Sequence, residues 1–218
     1  MKKKFVLIVL FVLPLVVYMF FATGVNSFIK LPVLTKTISD INQNWHTLDG
    51  KKATFNNKIT IVGFPGDSLF QKRGSFFLLN QKIYNRNHEF KDFQMVFIAP
   101  DGTQKQAQEI LSRLKKLIDV SGYHFVFAPK NEINVYFENL KLKGKLDQNS
   151  GTNTVYIIDK ERNIRGRKGK SVQGDEEYRE GYDFTSSSEL HNEMTDDVKI
   201  VLAEYRLALK KNSANRKI

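Results

Sequence analysis

Lys2, Lys3 and Lys4 precede a run without a single charge, Phe5 to Thr23, dominated by Val, Leu, Ile and Phe. A helix needs roughly 20 apolar residues to cross a bilayer, so this run is long enough to leave the aqueous folding problem altogether. Pro14 would break a soluble helix, but a membrane helix tolerates it. The positive-inside bias keeps the lysines cytoplasmic and exports the rest. A cleaved signal peptide has a shorter apolar core, and Phe21-Ala22-Thr23-Gly24 makes a poor cleavage site. A core helix apolar on all faces at the extreme N-terminus is a weaker reading still. Residues 1–23 are therefore expected to be cytoplasmic lysines plus a single-pass anchor in the cell membrane, with an exported (periplasmic or extracytoplasmic) C-terminal part.

Composition then limits the exported part. An apolar fraction of 41% with 26% charged residues describes a globular chain. The sequence has no cysteine, which excludes disulfides, thiolate nucleophiles and thiolate-ligated zinc or iron–sulfur sites. The net charge is +11, and +8 remains once the three anchor lysines are set aside. Outside the cell such a balance suits anionic lipid or an acidic protein face; nucleic acid is not an expected partner.

Residues 24–46 read as a tether, with Ile38 and Ile41 the only helix-like pair. Thr47–Lys51 carries an Asp-Gly turn. Lys58–Val62 is a buried strand, because β-branched residues run between Asn-Asn and Gly-Phe-Pro-Gly. A helix is predicted from about Ser68 to Asn87 on the stripe Leu69, Phe76, Leu79 and Ile83. Phe93–Ala99 is a second strand. Thr103 and Gln106 have capping-box spacing before the stripe Ala107, Ile110, Leu111, Leu114. Phe125–Ala128 is a third strand, followed by a helix capped by Asn131. Val155–Ile158 and Asn163–Gly166 form a hairpin, Arg167–Ser188 a long polar loop, and a last helix follows Thr195. The basic tail, 211–218, is expected to fray. The order β-α-β-α-β-α-β-β-α implies an α/β fold, a mixed central sheet flanked by helices, in a domain spanning 47–210. That topology matches the thioredoxin-like fold.

With this order in place, the chain resembles the SCO/SenC family of membrane-anchored, thioredoxin-fold copper chaperones. The residues that carry the resemblance are Leu48-Asp49-Gly50-Lys51, Ile59–Val62 followed by Gly63-Phe64-Pro65-Gly66-Asp67-Ser68, Val96–Asp101, Tyr156–Asp159 and Asn163–Gly166. The family has a Cys-Pro-x-x-Cys loop after its strand. Here Phe64 and Ser68 stand in the cysteine positions, and only Pro65 is kept. The family's ligand histidine would fall in Ser150–Thr154, which holds none. The resemblance thus implies the fold and an assembly role in a respiratory context, while no copper-ligand or catalytic residue carries over. This is a degenerate version, expected to have no cofactor.

Other constellations are weighed on their own. Soft copper wants sulfur or imidazole. Met95 sits in a core strand; His191 and Met194, three apart, could share a helical face; His46, His88 and His124 stand alone. Ser68 lacks a base and a nucleophile elbow, so hydrolase chemistry is not expected, and Asp67 or Ser68 suits a helix cap. Lys160, Arg162, Arg165, Arg167, Lys168 and Lys170 could form a basic patch, with Asp175, Glu176 and Glu177 nearby to offset it. The loop Phe64, Pro65, Gly66, Asp67, Ser68 is the candidate docking surface, with Phe64 as its apolar contact. The sequence reading is a non-enzymatic binding or assembly factor for another envelope protein; metal handling by His/Met ligands is the alternative.

Overall fold

The structure, a computed structural model, describes residues 2–23, 30–170 and 174–215, with the side chains of 2–5, 7, 8, 20–23 and 207–215 outside the description. The N-terminal run forms one helix, α1 (Lys2–Thr23), and its described side chains, Val6 and residues 9–19, are all exposed. Among the described residues no helix is long and apolar enough to cross a membrane.

The domain is built on strands β1 (Val33–Thr35), β2 (His46–Thr47), β3 (Ile59–Pro65), β4 (Phe93–Pro100), β5 (Tyr123–Ala128), β6 (Gly151–Ile158) and β7 (Ile164–Arg165). They lie in the order β1-β7-β6-β3-β4-β5-β2, and β10 (Tyr182–Asp183) also pairs with β6. β3, β4 and β5 are parallel, while β6 is antiparallel to β3. Every residue of β3 and β4 is buried, as near-continuous apolar runs require of strands covered on both faces; the two polar exceptions, Thr60 and Gln94, bond each other at 2.8 Å.

Alternation within these strands feeds two cores. Ile59, Ile61, Met95, Phe97, Phe125 and Ile157 face one side, against α2 (Arg73–Leu79), α4 (Gln104–Leu114) and α7 (Thr195–Asn215). Val62, Phe64, Val96, Ile98, Tyr156 and Ile158 face the other, against α5 (Lys130–Glu138) and residues 38–55.

Several expectations change here. Residues 30–46 are part of the domain, because Leu31, Ile38 and Ile41 are buried and β1 pairs with β7. Only 24–29 remain of the tether, and they lie outside the described residues. The helix expected from Ser68 starts at Arg73 and continues through a π segment, Asn80–Tyr84, into α3 (Asn85–Asn87). The polar stretch that begins at Arg167 is not one loop: β8 (Arg167–Lys170) pairs with β9 (Glu176–Arg179). The last helix begins at Thr195 as expected, preceded by α6 (Ser187–Glu189) and a second π segment, Leu190–Met194. Its backbone stays helical to Asn215 where fraying was expected, and 216–218 lie outside the described residues.

Candidate functional site

Parallel strands β3, β4 and β5 end together at Pro65, Pro100 and Ala128. In open α/β sheets the carboxyl ends of such strands are where ligands bind. Three connections leave from this end: 66–72 to α2, 101–103 to α4, and Pro129 to α5.

Polar side chains of the first connection meet there with ones from α4 and α5. Lys130 Nζ donates to Asp67 Oδ2 at 2.7 Å, and Ser68 Oγ donates to Asp67 Oδ1 at 3.0 Å. The Lys130 bond is the chief reason that the Asp67 carboxyl is held below its ordinary range. Gln106, on α4, bonds the first connection twice: its Nε2 donates to the Asp67 carbonyl at 3.1 Å, and its Oε1 accepts from the Phe70 amide at 2.9 Å. Gln106 is thus spent on the loop, not on a capping box, and Thr103 Oγ1 donates back to the Pro100 carbonyl.

Lys72 stands one residue before α2, half-buried, with Nζ donating to the Thr152 carbonyl at 3.3 Å and lying 6.0 Å from the centre of the Phe184 ring. Burial pushes its ammonium pKa down, against the pull of Asp147, Asp183 and Asp67. Phe70 is 38% exposed, with the Arg73 guanidinium 4.5 Å from its ring centre. The outward surface is therefore an aromatic ring beside an ion pair, with no thiol in the chain.

The sequence-predicted residues divide. Phe64 and Pro65 belong to β3, and Pro65 pairs with Gly151. Phe64 is 1% exposed, its ring packed edge-on against Phe137 at 5.1 Å between centres. Burial on both faces of the sheet thus removes Phe64 as a docking contact. Gly66, Asp67 and Ser68 do lie in the loop, but neither Asp67 nor Ser68 caps α2, whose N-cap is Lys72 without a side-chain bond. The position nearest the helix start, where a thiolate would gain most from the helix N-terminus, is held by Lys72, and Leu69 before it is fully buried. Lys72, Lys130 and Gln106 escape sequence reading. Their one available signal is position: each follows the end of a predicted parallel strand.

The donors present do not fit copper. In the stretch where the resemblance expects a histidine, Gly151 lies against Gly66, and a Cβ on Gly151 would stand 2.9 Å from the Gly66 Cα and 3.1 Å from the Pro65 carbonyl oxygen. Met95 and Met194 are buried in the core, whereas His191 is exposed, so His191 and Met194 do not share a face. His46 is exposed on β2; His88 and His124 line a cleft of about 310 Å³ at the other end of the sheet. Among the described residues no group of three or more His, Asp or Glu could hold a metal ion.

The basic stretch 160–170 also divides. Lys160 pairs with Asp92, Arg165 with Asp159 and Glu204, and Arg167 with Asp197 and Glu177. Three of its six cations are thus neutralised inside the fold.

No family model matches this chain, and no curated protein matches it. Solved structures do. BsSco, a member of the Sco family of cytochrome c oxidase assembly proteins, superposes with a TM-score of 0.55 at 12% identity, over 78% of this chain and 95% of that one. A protein from Bacteroides thetaiotaomicron, proposed to be a disulfide isomerase, gives a TM-score of 0.53 at 13% identity, over 80% and 95% of the two chains. At such identities the likeness concerns the fold: this is a thioredoxin-like α/β protein with a mixed sheet flanked by helices.

Proposed function

We propose that this protein is a membrane-anchored, exported, non-enzymatic binding or assembly factor that recognises an envelope protein through the 66–72 end of its sheet. The observation that carries the reading is the Asp67–Lys130 pair, 2.7 Å apart, set beside exposed Phe70 where the fold elsewhere supports thiol chemistry. A ring flanked by paired charges suits recognition, because the ring supplies buried area and the charges supply specificity. The anchor reading draws on the uncharged run Phe5–Thr23 and on the exposure of every described side chain of α1. A respiratory setting is suggested by the Sco likeness alone.

The test is site-specific photocrosslinking of the full chain in its native membranes. A photoreactive residue at Phe70 is expected to give a discrete adduct that Lys130→Glu abolishes. The same residue at Val135, exposed on α5, should give none. Identical adducts from both positions, or an adduct indifferent to Lys130→Glu, would overturn this assignment of the surface.

A further inference from the structure

Because residues 30–46 belong to the domain, the link from α1 to the fold is only residues 24–29. Fully extended, such a link reaches roughly 25 Å. Its far end is fixed. Leu31 is buried, its carbonyl accepts from Arg165 Nε at 2.8 Å, and the Pro32 carbonyl accepts from the Gly166 amide at 3.1 Å. β1 then pairs with β7 at one edge of the sheet, and β2 forms the opposite edge. Seven strands in that path span roughly 30 Å. To bring the β2 edge to the bilayer, the link would have to run the width of the sheet, which exceeds its full reach.

We infer that the β1–β7 edge is a membrane-apposed surface that rests on anionic lipid headgroups. This rests on the anchor reading above. Charge agrees with it: Lys30 and Lys36 are exposed and Arg162 is half-exposed along this edge, and both acids of the β6–β7 turn are engaged, Glu161 with Tyr205 and buried Asp159 with Arg165. Cations held within a Debye length of an anionic surface are attracted to it. The orientation has a consequence for the site. β1 is antiparallel to β7, β7 to β6 and β6 to β3, so the chain enters β1 from the end of the sheet that carries loop 66–72. The partner surface is thereby brought toward the membrane side.

The absence of cysteine makes single-cysteine labelling direct. Full-length Val33→Cys and Lys51→Cys, on the β1 and β2 sides, are labelled with a fluorophore and reconstituted in vesicles carrying headgroup nitroxide quenchers, with and without anionic lipid; Val33 is exposed on β1, and its replacement leaves the cations of the edge in place. The Val33→Cys label should be quenched at least threefold more than the Lys51→Cys label, and more strongly with anionic lipid. Equal quenching in protein that resists alkaline carbonate overturns the orientation and leaves the anchor standing. A ratio unchanged by anionic lipid overturns the headgroup contact. Loss of the protein from the vesicles in carbonate overturns the anchor reading itself.

Discussion

The side chains of Asp67 and Lys130 are 34% and 44% exposed, so solvent screens their contact and its worth is at most about 1 kcal/mol. Its pH dependence has a definite sign. The folded carboxyl titrates below its ordinary value, so its stabilisation is present above the unfolded pKa of about 3.9 and fades as pH falls through the lower folded one. The unfolding free-energy gap between wild type and Asp67→Asn should be constant above about pH 5 and close toward pH 2. Urea titrations across that range check it; a gap undiminished at pH 2 would mean that ionisation is not the cause. Sequence alone shows Asp67 and Ser68 as possible caps because capping is local, whereas Lys130 lies 63 positions away. Phe64 misleads for a related reason: a Gly-Phe-Pro-Gly string reads as a turn, yet pairing to β6 extends β3 through Pro65.

Among elements, the junction of β7, β1 and α7 depends most on one side chain. Arg165 is 4% exposed and joins Asp159 Oδ2 at 3.1 Å, Glu204 Oε1 at 2.7 Å and the Leu31 carbonyl. Removing one member of a buried charge cluster leaves the others unpaired, typically at a cost of about 3–5 kcal/mol. Arg165→Met should lower stability by that order and release β1 and the second half of α7 first, as read by amide hydrogen exchange. Uniform loss of protection across the sheet would place the junction's role elsewhere. The buried strands β3 and β4, like the stripe of α4, are legible because apolar periodicity reports burial directly. The hairpin β8–β9 is not, since Arg-Lys-Gly-Lys and Glu-Glu-Tyr-Arg have no apolar alternation. Cross-strand charge places Lys170 opposite Glu176, a complementarity visible only once the register is known.

For the molecule as a whole, the decisive question is where the domain begins. A sequence boundary at residue 47 treats 30–46 as passive, because two isoleucines in a polar stretch carry little periodicity. The fold uses that stretch on both faces: Leu31 enters the core beside α7, while Ile38 and Ile41 enter the core beside α5. Asp40 adds a bond from the Phe55 amide at 2.7 Å and one from Thr54 at 2.5 Å. Burying three such aliphatic side chains contributes of order 5–9 kcal/mol before the cost of ordering the backbone is set against it. Even a third of that is large beside a typical total of about 5–15 kcal/mol. A chain of residues 30–218 is therefore expected to unfold cooperatively in urea, and one of residues 47–218 to show a clearly lower midpoint or no cooperative transition. Equal midpoints would mean that 30–46 is a tether after all. On the proposed anchor, the link would then be long, and the proposed confinement of the domain to the bilayer surface would be lost.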